Sequence, residues 1–292
     1  MEQTRADQAR TNDSEPAQVT GLDLAVLGLP KTGTTWLGRL MKDGGAATVF
    51  DESEKIETLW ARAAPPSVLI AESVTDPLFV GGTAERRLAL RAMGQRVRAD
   101  QLLLVLREPV DWICSLYRQY VKRGGTRRFA DFIGPDETRI VDPAFADFSR
   151  VVEDVRDAMD APLAVSSYNR LKQDPRGFLG DIAATLGPDR LPQGQMHEVD
   201  EALIRGKANV GLRGVSGRIV RAANRVRRTG KWNPNGLVKW RGLERLPWHL
   251  LAGIGRDIIS ESDLERLDHL IRPYNDWPEW EDALQRHRVL HV

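Results

Sequence analysis

The sequence of 292 residues holds one cysteine, Cys114. That excludes an intrachain disulfide and suits a reducing compartment. Histidine is also scarce: there are five, His197, His249, His269, His287 and His291, and none lies in the first two-thirds of the chain. With one thiol and scattered imidazoles there is no ligand spacing for a metal, so none is expected. Long apolar runs are missing too, since none reaches the roughly 18–20 residues that span a bilayer. Residues 1–20 are polar and lack the apolar core of a secretory leader. The expectation is therefore a soluble, cytoplasmic protein. Net charge is nearly absent as well, at +1, and this total excludes no class of partner.

What is present is ordinary globular material, 41% hydrophobic and 28% charged, long enough for one large α/β domain. Residues 1–20 read as a disordered tail. Residues 21–283 read as a single domain with a basic, tryptophan-containing insertion at about 205–250. Residues 284–292 read as a second tail.

The chain is organised around Leu24-Ala25-Val26-Leu27-Gly28-Leu29-Pro30-Lys31-Thr32-Gly33-Thr34-Thr35-Trp36-Leu37. An apolar strand at about 22–27 runs into a glycine turn and then a helix reaching about Lys42. A helix start presents backbone N–H groups to an anion, and the aligned peptide dipoles add to the attraction. Gly33 admits close approach, Lys31 brings a mobile charge, and Thr32, Thr34 and Thr35 bring hydroxyls. Gly28 and Gly33 have the spacing of a Walker A loop, but Thr34 stands where that motif has lysine. The charge enters from a different side. A nucleoside-triphosphate-dependent kinase is thus the weaker of two phosphate-binding readings. A non-catalytic nucleotide-binding or membrane-surface module is a third reading.

A second constellation is Leu102-Leu103-Leu104-Val105-Leu106-Arg107-Glu108-Pro109-Val110-Asp111-Trp112-Ile113-Cys114-Ser115. It reads as a fully buried strand of a parallel sheet, ending in Arg107 where open α/β sheets bind ligands. Pro109 suits a first helical turn, and Ser115 lies two turns beyond Arg107. A guanidinium fork fits a phosphate; the plainer reading pairs Arg107 with Glu108 or Asp111.

Pro30-Lys31-Thr32-Gly33-Thr34-Thr35-Trp36 closely resembles the 5′-phosphosulfate loop of sulfotransferases, and Arg107 to Tyr117 resembles their 3′-phosphate motif, with Glu108 for Asp or Asn. The resemblance implies a P-loop-like α/β fold, a three-layer α/β/α arrangement with a central, mainly parallel sheet. It also implies 3′-phosphoadenosine 5′-phosphosulfate (PAPS) as co-substrate, with no metal. By the same resemblance Lys31, Thr32, Gly33, Thr34, Thr35 and Trp36 hold the 5′ end, and Lys31 also serves catalysis. Arg107 and Ser115 hold the 3′-phosphate, Tyr168 contacts adenine, and Arg213 comes from a late basic loop. Glu57, in Lys55-Ile56-Glu57-Thr58-Leu59-Trp60, matches the family's proposed base; Glu52, Glu54 and Glu72 are alternatives, and Glu72 reads mainly as structural. Cytosolic relatives use a histidine between the two motifs, and this chain has none there.

Other elements are a strand at 68–71, a helix at 83–97 with Leu88, Leu90, Met93 and Val97 inward, a helix at 144–160, and a strand at 162–165. Ser262 and Glu265 read as a capping box for a late helix. The resemblance implies an acceptor, expected to be a small molecule, glycan or lipid, for which the sequence carries no signature. The basic 213–241 stretch suits peripheral membrane contact, and no nucleic-acid module is present. Oligomeric state has no signature.

Overall fold

The computed structural model of the chain describes residues 19–43, 48–51, 67–134, 139–186, 221 and 259–274. Five strands, β1 (Val19–Gly28), β2 (Thr48–Asp51), β3 (Ser67–Ala71), β4 (Val97–Leu106) and β5 (Leu163–Ser167), form one sheet in the order β2–β3–β1–β4–β5. Each neighbouring pair is parallel, so the sheet is fully parallel among the described residues. Val26 of β1 lies opposite Ile70 of β3 and Leu103 of β4.

Alternation along β1 sorts its side chains between two cores. Leu24 and Val26 pack with Leu37, Leu40 and Met41 of helix α1 (Thr34–Asp43), and with Phe178, Leu179 and Ile182 of a later helix. Ala25 and Leu27 pack on the other face. There they meet Leu90, Trp112, Leu116, Val151 and Val155, which come from three further helices. The result is the expected three-layer α/β/α arrangement. Burial on both faces explains why these strands read as unbroken apolar runs.

The remaining helices follow in chain order: α2 (Pro77–Val80), α3 (Thr83–Arg96), α4 (Pro109–Lys122), α5 (Phe148–Ala158), α6 (Tyr168–Gln173), α7 (Pro175–Leu186) and α8 (Glu261–Ile271). Glu108 starts α4 by accepting from the N–H groups of Val110 and Asp111, with Pro109 in the first turn. Among the described residues no helix is long and apolar enough to cross a membrane.

Several boundaries differ from the sequence expectation. Leu88, expected inward, is exposed, while Leu90 and Met93 are buried. The helix expected over 144–160 is split: a short 3-10 turn (Pro143–Ala146) precedes α5, and the Asp147 carboxylate between them accepts from the Arg150 N–H at 2.9 Å. The capping box of α8 belongs to Ser260 and Asp263, two residues earlier than Ser262 and Glu265. Both pairs satisfy the spacing rule, and only backbone geometry chooses between them.

Helices α3 and α5 are tied by a buried ion pair, Arg86 Nη2 to Asp154 Oδ2 at 2.7 Å, with side chains 0% and 1% exposed. The Arg86 guanidinium also lies 5.3 Å from the Phe145 ring centroid.

Candidate functional site

The strand order places the site. The chain leaves β1 toward β2 and leaves β4 toward β5, so the two outgoing connections diverge at the carboxyl edge between β1 and β4. Open α/β sheets hold ligands in such crevices. Residues 29–33 and Arg107 line this one. Arg107 Nη1 donates to the Lys31 carbonyl at 3.2 Å, and the Trp112 indole N–H donates to the Pro30 carbonyl at 2.9 Å. The two stretches singled out in the sequence are therefore joined.

The loop is tightly wound. The Thr32 N–H and Oγ1 both donate to the Leu29 carbonyl, at 3.2 and 2.6 Å. Lys31 has φ 72°, a left-handed conformation that costs a non-glycine residue roughly 1–2 kcal/mol. Strain of this kind is stored where the surroundings enforce it, commonly at ligand sites. Gly33 has φ 86°, and a Cβ on it would stand 2.9 Å from two carbons of the Tyr168 ring. Helix α1 begins at the next residue, and its first regular bond runs from Leu37 N–H to the Gly33 carbonyl. The N–H groups of Thr34 and Thr35 thus have no intrahelical acceptor.

The hydroxyls behave differently from the sequence expectation. Thr32 spends its proton on Leu29, while Thr34 and Thr35 both donate to Glu72 Oε1, Thr35 at 3.3 Å. Glu72 stands just past the end of β3, beside β1, so its carboxylate buttresses the loop. Thr75 Oγ1 adds a bond to the Gly28 carbonyl at 2.7 Å. In this arrangement all three threonine hydroxyls are engaged within the protein.

Lys31 titrates below an ordinary lysine. Burial is the main cause; Lys122, Arg123 and Arg107 push the same way, and Glu72 opposes them. Arg107 has its guanidinium over the Tyr168 ring, 4.9 Å from the centroid, and pairs with Asp111 at 3.5 Å. The pairing anticipated as the plainer reading is thus present. Even so, Arg107 Nε is buried with no acceptor. A phosphate oxygen would satisfy it, so the residues fit an anionic group at this place. Ser115 is half-buried one turn beyond Asp111 on the same stripe of α4.

Lys31, Thr32, Gly33, Thr34, Thr35, Trp36, Arg107, Ser115 and Tyr168 lie on the β1 loop, the first turn of α1, the β4–α4 junction, the middle of α4 and the start of α6. Glu57, with Glu52 and Glu54, lies outside the described residues, as does Arg213. Of the basic segment only Arg221 is described; its Nη1 donates to Tyr117 Oη at 3.1 Å. Among the described residues no group of three or more His, Cys, Asp or Glu side chains could hold a metal ion.

Sequence reading missed Asp76 and Arg123. Asp76 caps α2 by accepting from the Leu78 N–H at 2.9 Å and pairs with Arg123 at 3.6 Å; Arg123 in turn lies over Phe79, 4.8 Å from the centroid. Asp76-Pro77 is a legible helix start, but nothing in its spelling points to a residue nearly fifty positions later.

No protein-family model and no curated protein matches the chain. Among solved structures, it is similar to a mouse sulfotransferase complexed with PAP, at 15% identity and TM-score 0.48, over 92% of this chain and 89% of that one. It is also similar to a sulfotransferase from Alicyclobacillus acidocaldarius, at 20% identity and TM-score 0.40, over 63% of this chain and 89% of that one.

Proposed function

We propose that the chain transfers a sulfuryl group from PAPS to a hydroxyl or amine of an acceptor. One observation carries this reading: the Lys31 loop and Arg107 meet at the β1/β4 crevice, where Arg107 Nε is buried without an acceptor. The nucleotide, when bound, supplies the activated sulfuryl group.

Lys31 and the amides from Thr32 to Trp36 hold the 5′ end. Arg107 and Ser115 hold the 3′-phosphate, and Arg213 closes on it from the later basic segment. Tyr168 supports Arg107 and presents its ring on the adenine side. Sulfuryl transfer resembles phosphoryl transfer in its loose, in-line transition state, so positioning and charge stabilisation dominate. Lys31 stabilises the charge that develops on the leaving bridging oxygen. The Glu57 carboxylate takes the acceptor's hydroxyl proton as its oxygen bonds to sulfur. Glu52, Glu54 and Glu72 are the alternatives for that step. The acceptor class is a small molecule, glycan or lipid. Cytoplasmic location and contact of the 213–241 stretch with an anionic membrane surface belong to the same reading.

Calorimetry with adenosine 3′,5′-bisphosphate tests the nucleotide, and mass-spectrometric comparison of cells with and without the gene tests transfer. Binding lost in Lys31→Ala and Arg107→Ala, with a sulfated product that disappears with the gene, is the expected result. A wild-type chain that does not bind the bisphosphate overturns the reading.

A further inference from the structure

Guanidinium groups from distant parts of the chain gather on one 3-10 turn, Phe129–Asp131. The Ala130 carbonyl accepts from Arg139 Nη1 at 3.2 Å and from Arg266 Nη1 of α8 at 3.0 Å. Just before the turn, the Tyr117 phenol of α4 donates to the Arg127 carbonyl at 3.0 Å and accepts from Arg221 Nη1 at 3.1 Å. Helix α4 is tied to the exit of β1 at both ends. Near its start Trp112 donates to the Pro30 carbonyl. At its end Arg123 pairs with Asp76, and the neighbouring Thr75 hydroxyl donates to the Gly28 carbonyl at 2.7 Å. Tyr117 sits between these ties, about 7.5 Å along the helix axis from Trp112. The helix that borders the loop therefore also carries the arginine-bearing turn.

These arginines are held by neutral oxygens, which fix a guanidinium without cancelling its charge. Asp131 is committed to Arg139 at 3.1 Å, and Asp263 to the capping box of α8. One turn from Arg266 on α8 stand Ser262, Asp263, His269 and Leu270, so Asp263 is the one acid facing it along the helix. Burial pushes the Tyr117 phenol above its ordinary range, so it stays neutral beside Arg221. Among the described residues neither Arg221 nor Arg266 forms an ion pair. The rings beneath, Tyr117, Tyr120, Phe129 and Phe132, are buried, so the turn offers forked N–H donors and no ring to stack on. We propose that Arg221 and Arg266 form a docking surface for an acidic glycan, each guanidinium taking a carboxylate or sulfate group of the sugar chain. A uronate-bearing glycan supplies both parts that are needed: anionic groups for the forks and hydroxyls for sulfuryl transfer. The assignment rests on the transferase reading above and narrows its acceptor.

Calorimetry on the full chain uses tetragalacturonate, neutral maltotetraose of the same length, and phosphatidylglycerol vesicles. Wild type is expected to bind tetragalacturonate and not maltotetraose. The double variant Arg221→Gln/Arg266→Gln is expected to weaken tetragalacturonate at least about tenfold, the loss of two charge-assisted contacts, and Arg221→Lys/Arg266→Lys to recover part of it. Arg91 and Arg96 are exposed on α3, so Arg91→Gln/Arg96→Gln removes the same charge from another surface and is expected to change binding less than about twofold. No tetragalacturonate binding by wild type, equal weakening in the α3 variant, or Arg221- and Arg266-dependent binding to the vesicles alone overturns the assignment. Adenosine 3′,5′-bisphosphate, titrated in parallel, is expected to bind the Arg221→Gln/Arg266→Gln chain within about twofold of wild type. Failure of wild type to bind the bisphosphate overturns the transferase reading, whereas failure of the glycan with the bisphosphate bound overturns the docking surface alone.

Discussion

The Arg107 guanidinium lies over the ring of Tyr168, 4.9 Å from its centroid, and that ring also closes against Gly33. Tyr168 comes from the end of β5 and Arg107 from the end of β4, so two neighbouring strands build one wall of the crevice. A cation over an aromatic face contributes roughly 0.5–2 kcal/mol, depending on desolvation. Tyr168→Phe is expected to keep the stack and bind adenosine 3′,5′-bisphosphate within about twofold of wild type. Tyr168→Ala removes both the stack and the packing on Gly33, and is expected to weaken binding about five- to thirtyfold by calorimetry.

On the proposed reading Glu72 and Glu57 have separable roles. Glu72 holds the Thr34 and Thr35 hydroxyls, so its loss loosens the loop before any chemistry. Glu72→Ala is expected to raise the dissociation constant for the bisphosphate. Glu57→Gln is expected to leave that constant unchanged and lower turnover at least about a hundredfold, the usual contribution of a general base. Intact binding with lost turnover in Glu72→Gln would transfer the base role to Glu72.

Asp76 is pushed up from 3.8 to about 6 by burial, against the Leu78 N–H and Arg123, which favour its ionised form, and Lys31, which adds a weaker pull. Between those two values the native carboxyl holds a proton that the unfolded chain has lost. Stability therefore falls as pH rises from about 4 to about 6, and the full penalty, of order 3 kcal/mol, stands above that window. Asp76→Asn has no carboxyl to titrate. Thermal melts across pH 4–7 should show wild type losing stability relative to Asp76→Asn over this range. Parallel curves would contradict the buried, ionisable assignment.

The Arg86–Asp154 pair predicts a stability effect remote from the site. Burial lowers the Arg86 pKa, and Asp154 opposes that shift. Asp154→Ala leaves the guanidinium buried without its partner and is expected to cost about 3–5 kcal/mol, read from urea unfolding. Replacing both residues with apolar side chains of similar volume is expected to recover much of the loss.

The sequence by itself determined the sheet core, because strands buried on both faces must be apolar throughout, and β1 and β4 are spelled that way. It determined the loop as well: Gly33 and the Lys31-to-Trp36 cluster encode a local backbone shape. Arg107 was legible because a strand end followed by Glu108-Pro109 fixes where a helix begins. Tertiary structure alone decided what depends on distance along the chain. It assigned the Thr34 and Thr35 hydroxyls to Glu72, joined Arg107 to the Lys31 carbonyl, and paired Arg123 with Asp76. It also chose Ser260 over Ser262 as a cap, and turned Leu88 outward. Local sequence fixes dihedral preferences and apolar periodicity, whereas the partner of a charge or a hydroxyl is set by the strand order, which brings together residues with no pattern in common.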